Sequence, residues 1–153
     1  MKKIAYAFIM CTLFAIPAFS QQSAETDIKK TINTFFDGMR KADTTLMRSA
    51  IAKDIVLQSI ANKKDGSTAL VTESMAAFIA SVAKPHKDIY DERVTYNDIK
   101  IDGDLASVWA PYQFYAGSTF SHCGVDVFQL MRTAQGWKII YIVDTRRKDK
   151  CVE

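Results

Sequence analysis

Histidine is scarce in this 153-residue chain: only His86 and His122 occur. No carboxylate motif at ligand spacing accompanies either, so a metal centre is not expected. There is no glycine-rich phosphate loop and no nucleophile elbow, and nothing else in the sequence asks for a cofactor. Lysine and arginine form no stripe interleaved with aromatics. The one basic run, Arg146, Arg147, Lys148 and Lys150, is short and terminal, reads as a solvated tail, and gives no footprint for a nucleic-acid partner. No apolar run reaches the ~20 residues that a bilayer-spanning helix needs. With three prolines and six glycines, the chain shows no linker, low-complexity segment or internal repeat.

What is present begins with a leader. Lys2 and Lys3 precede an apolar run from Ile4 to Ile16, followed by small residues at Ala18 and Ser20 and then by polar Gln21, Gln22 and Ser23. This is the pattern of a signal peptide over residues 1–20, with cleavage after Ser20 and a periplasmic or secreted product. Met10 before Cys11 is the wrong residue for a lipid-modified cysteine. Removal leaves 153 − 20 = 133 residues, one domain over residues 21–153 with a core of its own. Its charge is 18 − 17 = +1, because the leader holds two of the 20 Lys and Arg and none of the 17 Asp and Glu.

Ile28, Ile32, Phe35, Phe36 and Met39 recur at the spacing of one helical face and predict a helix from about Ala24 to Lys41. Asp43 suits the N-cap of a second, short helix carrying Leu46, Ala50 and Ile51. Ile55 to Ile60 reads as a strand ended by Asn62, Asp65 and Gly66. Thr72 is expected to cap a third helix bearing Met75, Phe78, Ile79 and Val82, stopped by Pro85. From there the period becomes two. Extended segments are expected at about Tyr90–Ile101, Leu105–Ala116, Thr119–Arg132 and Trp137–Thr145, joined as antiparallel hairpins. Helices first and a meander afterwards make an α+β layout with helices packed on one face of a curved, mainly antiparallel sheet.

Several stretches then carry a likeness. The helix ending FFDGMRKAD, the following SAIAKDIVLQS, the hairpin YDERVTYNDIKIDGDLASVW and the closing QLMRTAQGWKIIYIVDT resemble the nuclear transport factor 2-like superfamily, including its SnoaL-like and lumazine-binding branches. The resemblance spans the mature chain and implies a cone-shaped, cystatin-like fold with a pocket between helices and sheet. It also implies a wide choice of function, since members include isomerases, cyclases, dehydratases and scaffolds without activity. Ketosteroid isomerase-like members carry an aspartate base near the position where this chain has Gln58 and Ser59, neither of which can take a proton from carbon.

The stretch SHCGVDVF, Ser121 to Phe128, gathers a histidine, a cysteine and an aspartate. On a strand, neighbours point to opposite faces, so His122 and Cys123 cannot act together as base and nucleophile. His122 and Asp126 share a face but stand roughly 13 Å apart. With the leader gone, Cys123 and Cys151 remain. A turn near Ala134 and Gln135 sets Cys123 opposite about Arg146, and a five-residue tail can return Cys151 to it, so a disulfide is expected ahead of a free thiol.

A two-residue turn at Gly117 and Ser118 would set Gln113 opposite His122 and Trp109 opposite Asp126. The pocket wall would then be Trp109, Gln113, Tyr115, His122, Asp126 and Phe128, mostly aromatic with a few fixed polar groups. A bulge in that turn would exchange the faces and present Tyr112 and Phe114 instead. Surface or core polar positions are the alternative for His122 and Asp126. The expected function is a small-ligand-binding or accessory domain for an apolar or aromatic molecule. The alternative is a small SnoaL-like isomerase, dehydratase or cyclase with Asp126 or His122 as acid and base. The last strands are apolar on both sides. Val125, Val127, Ile140 and Ile142 are expected on one face and Phe128, Leu130, Ile139, Tyr141 and Val143 on the other, which predicts a homodimer through the outer face, as is common in the superfamily.

Overall fold

The computed structural model describes residues 16–151, with side chains from residue 21 onward. Most of the expected leader, residues 1–15, lies outside the described residues. Among the described residues no helix is long and apolar enough to cross a membrane. The elements run α1 (Ile16–Arg40), α2 (Thr44–Ala50), β1 (Ile51–Asn62), β2 (Thr68–Glu73), α3 (Met75–Val82), β3 (Tyr90–Val94), β4 (Asp98–Asp102), β5 (Leu105–Ala116), β6 (Thr119–Thr133) and β7 (Gly136–Arg147). The seven strands form one sheet ordered β2-β1-β7-β6-β5-β3, with β4 also on β5. Only β1 and β7 pair in parallel.

Helix α1 forms for the reason its sequence gives: Ile28, Ile32, Phe35, Phe36 and Met39 are all buried, and they pack on Phe128, Leu130 and Ile139 of the sheet. The turn into α2 is tight. Asp43 donates its backbone N–H to the Gly38 carbonyl at 2.8 Å, and its side chain accepts from the Leu46 N–H at 2.9 Å as the N-cap. A Cβ on Gly38 would lie 2.7 Å from the Met47 backbone nitrogen, so only glycine lets the two helices approach this closely.

Helix α3 is capped by Ser74, not by Thr72, because Thr72 and Glu73 are already paired with Gln58 and Leu57 in the ladder of β1 and β2. Strand β2 itself carries no alternating pattern. It is an edge strand with nearly every side chain exposed, so burial imposed no period on its sequence.

Bulges give the sheet its curvature. The expected single strand from Tyr90 is two, β3 and β4, and both pair with β5 in registers one residue apart. The join falls at Pro111, whose carbonyl accepts from the Thr95 N–H at 2.8 Å and whose missing N–H removes no bond there. A second bulge places Ser121 on β6 without a partner on β5. A third leaves Ile140 unpaired between Tyr141, opposite Gln129, and Ile139, opposite Leu130. It corrects the expected faces of β7. Ile139 and Ile142 both join the core with Phe128, while Tyr141 and Val143 turn away.

Cys123 and Cys151 are disulfide-bonded, with Cα atoms 5.7 Å apart. Cys123 lies opposite Arg147, one residue from the expected Arg146, and the tail turns back through Lys150 at φ 51°. Closing a loop of this length constrains the unfolded chain by about 3 to 4 kcal/mol. Cys151→Ser is therefore expected to lower the unfolding free energy by roughly that amount. Urea denaturation checks it, and an unchanged midpoint with an unchanged slope would remove the disulfide from the account of stability.

Candidate functional site

Between α1, α3 and the inner face of the sheet lies a cavity of about 210 Å³. Its apolar side is built by Phe35, Phe36 and Met39 of α1, Phe78 and Val82 of α3, and Leu57, Phe128 and Ile142 of the sheet. Apart from Ser81 of α3, its polar side is built by strands: Glu92 of β3, Tyr112 of β5, His122 and Asp126 of β6, and Asp144 and Arg146 of β7. They converge because each strand presents alternate residues inward. Register aligns Asp126 with Asp144, and Glu92 and Phe114 with His122.

Of the residues expected on the wall, His122, Asp126 and Phe128 line the cavity, whereas Trp109, Gln113 and Tyr115 do not. The Ser121 bulge is the reason. It pairs Phe114 with His122 and Tyr112 with Gly124, so Tyr112 and Phe114 face in and their odd-numbered neighbours face out. Trp109 is half exposed, Gln113 accepts a hydrogen bond from the Tyr115 hydroxyl at 2.8 Å, and Arg93 lies 4.2 Å over the Tyr115 ring. Glu92, Asp144 and Arg146 were absent from the expected site. The signal available for them was parity: Tyr90 and Glu92, and Ile142, Asp144 and Arg146, each share one strand face.

The three carboxyls are held differently. Asp144 is fully partnered: it accepts from the Ser59 hydroxyl, from Arg146 Nε at 2.7 Å and from the Tyr112 hydroxyl at 3.3 Å. Arg146 also donates to Ser59 at 3.3 Å, so guanidinium, hydroxyl and carboxylate form a closed set. Asp126 is 3 % exposed, and its Oδ2 has no hydrogen-bond partner among the described residues. Its neighbour is Glu92, whose remaining surface faces the cavity.

Burial raises Asp126 well above the ordinary carboxylate range, and the adjacent Glu92 charge adds to the effect. Burial also pushes Glu92 up to about 7, with Asp126 beside it pulling the other way. Two neighbouring carboxyls so placed titrate as a pair rather than singly. Burial, and then the Arg146 charge, lower His122, keeping its ring neutral. That ring stacks on Phe114 with centroids 5.0 Å apart and meets Tyr112 edge-on at 5.7 Å. Burial raises Tyr112 far above its usual value, leaving the hydroxyl a donor at every working pH. Gln58 and Ser59 are taken up elsewhere, Gln58 with Thr72 and Tyr141, Ser59 with Asp144.

Glu92 has a higher pKa folded than unfolded, so its favourable contribution is complete below about 4.5 and is lost as pH rises through about 7. Stability is expected to decline between those values. Glu92→Gln, which cannot ionise, is expected to flatten that decline and to exceed the parent at pH 8 by on the order of 2 kcal/mol. Denaturation midpoints from pH 5 to 8 test this; parallel curves for the two proteins would contradict it.

The sequence matches the family described as Putative lumazine-binding over residues 23–143. No curated protein matches the chain. Solved structures do. An NTF2-like protein with a cystatin-like fold from Novosphingobium aromaticivorans is 13 % identical with a TM-score of 0.67, covering 84 % of this chain and 85 % of its own. An NTF2-like protein of unknown function from Shewanella baltica is 17 % identical with a TM-score of 0.62, covering 86 % and 98 %. A conserved protein from Planctomyces limnophilus is 16 % identical with a TM-score of 0.65, covering 82 % and 98 %. At these identities the likeness is one of fold: helices followed by a curved, unclosed, mostly antiparallel sheet. By its matched residues and this fold, the chain belongs to the Putative lumazine-binding family of the NTF2-like superfamily.

Proposed function

We propose that this is an exported small-molecule-binding domain whose ligand occupies the cavity between α1, α3 and the sheet. The observation that carries the reading is Asp126, a buried carboxyl at the polar end of the cavity whose Oδ2 lacks a partner among the described residues. Leaving such an atom unpaired costs about 1 to 3 kcal/mol, which a ligand hydrogen bond would recover. A cavity of about 210 Å³ is below the usual ~300 Å³ of drug-sized sites and suits a molecule of one or two rings. Export is supported by Lys2, Lys3 and the apolar run that follows, and the Cys123–Cys151 bridge is compatible with an oxidising compartment.

Acid–base turnover is the second reading, favoured by two neighbouring carboxyls, Asp126 and Glu92, that burial raises together. A carboxyl held protonated beside one that ionises near neutrality forms an acid and base pair facing one cavity. His122 is the weaker candidate, since its neighbours hold it neutral without orienting it toward a carboxylate.

Thermal-shift screening with neutral and charged aromatic and carbonyl compounds tests both readings. His122→Ala and Asp126→Ala are each expected to weaken hits by about 1 to 3 kcal/mol while the fold persists. Wild-type affinity for every hit in both variants would reject the pocket. Turnover of an enone that vanishes in Asp126→Asn would place the enzyme reading first.

We propose in addition that the outer sheet face self-associates. Trp109, Leu105 and Met131 stand there 51 %, 49 % and 43 % exposed, with Leu105 directly opposite Met131. Sedimentation at micromolar concentration should show a dimer that Trp109→Lys dissociates; a monomeric wild type would overturn this.

A further inference from the structure

The polar end of the cavity carries more carboxyls than cations. Glu92, Asp126 and Asp144 face it, and the one guanidinium that faces it, Arg146, is bound to Asp144 at 2.7 Å. Among the described residues neither Asp126 nor Glu92 has an ion pair of its own; the Arg146 charge reaches both only as a minor influence, being bound to Asp144. Around them stand ring faces and edges: Tyr90 and Phe114 with centroids 5.7 Å apart, and His122 stacked on Phe114. Negative charge at one end of an aromatic enclosure is the arrangement that holds an organic cation, because carboxylate and ring faces attract it together and water is excluded.

Building on the pocket proposed above, we infer that the ligand is a small aromatic or aliphatic molecule bearing an amidinium- or ammonium-type head, with the head against Asp126 and Glu92 and the body among Phe36, Phe78 and Phe128. A planar amidinium presents two parallel N–H donors. They match one oxygen from each of two neighbouring carboxyls that line the cavity, Asp126 and Glu92.

Protonation is coupled to such binding. The titratable or charged groups facing the pair are Tyr90 on β3, Tyr112 on β5, His122 on β6, and Asp144 and Arg146 on β7, with Lys148 of the tail acting on His122. His122 stays neutral, Tyr112 keeps its proton, and Asp144 and Arg146 compensate each other, so the Asp126–Glu92 pair is what titrates. A bound cation favours the ionised carboxyls and drives a proton out. Affinity should therefore rise with pH, by up to about tenfold per unit for each proton released.

Benzamidine and benzamide are near-isosteric probes that differ in charge. Calorimetry from pH 6 to 8, in two buffers of different ionisation enthalpy, should find benzamidine bound at least tenfold tighter than benzamide. Its affinity should increase with pH, with release of a proton. Asp126→Asn and Glu92→Gln should each reduce benzamidine affinity at least tenfold and diminish the release, while changing benzamide affinity far less. Equal binding of the two probes would overturn the cation inference and leave the pocket standing. So would neutral hits from the aromatic screen with no benzamidine binding. Benzamidine binding that is indifferent to both substitutions would overturn it too, by locating the cation elsewhere on the surface. A failure of benzamidine, benzamide and the whole screen would reject the pocket together with its ligand.

Discussion

Ser121 has no partner on β5, and every residue of β6 beyond it is shifted by one position against its neighbour. Because side chains alternate between faces, this single unpaired residue decides which half of β5 looks into the cavity. With it, Tyr112 and Phe114 stand beside His122 and Asp126; without it, Trp109 and Gln113 would. The polar chemistry of the site follows from that choice. Turned inward, Tyr112 reaches both the Asp144 carboxylate and the Thr145 carbonyl with its hydroxyl, the latter at 3.0 Å.

The site sets one satisfied carboxylate beside one that is not. Asp144 lies in the same layer and is nearly as buried as Asp126, yet it gathers a guanidinium, a serine hydroxyl and a tyrosine hydroxyl. The protein therefore has the means to solvate a buried carboxylate here and has done so once. At Asp126 no such donor is supplied among the described residues: burial raises it toward its neutral form and Oδ2 is left without a partner. Folding gains nothing from that arrangement, since a pair of apolar residues would fill the same space at lower free energy. Such a departure from what stability alone selects is the physical ground for treating this end of the cavity as functional.

The helices were legible in the sequence because each buries one face, and burial writes a 3.6-residue period into α1 and α3. The meander was legible because its inner face is apolar. What could not be read were features that burial does not pattern. Strand β2 is exposed on both sides and so carries no alternation, which left Thr72 looking like a helix cap. Bulges at Ser121 and Ile140 have no composition of their own: one serine and one isoleucine among ordinary strand residues moved Trp109 out of the expected site and Ile142 into it. Glu92 sits in the run YDERV, where alternating charge resembles a solvated edge, and Arg146 opens the basic tail. In both, parity along the strand groups the residue with Tyr90 or with Ile142 and Asp144, and the register of neighbouring strands decides that this face is the inner one.

The opening residues of β6 show how a cluster with the look of catalysis resolves into a joint. His122 points into the cavity, Cys123 points away and ties the tail, and Gly124 lies against β7 so closely that a Cβ would stand 1.8 Å from the Thr145 carbonyl oxygen and 2.8 Å from the Tyr112 ring. That approach is what allows the Tyr112 ring to pass over Gly124 and reach the Thr145 carbonyl and Asp144. The disulfide fixes the tail that follows Arg146, on the next rung from Gly124. Three consecutive residues thus serve three separate ends: one lines the site, one anchors the chain beyond it, and one makes room for the hydroxyl that holds Asp144. None of them needs to react for the arrangement to be required, and the groups with unmet chemistry lie further along the strand at Asp126, and beside it at Glu92.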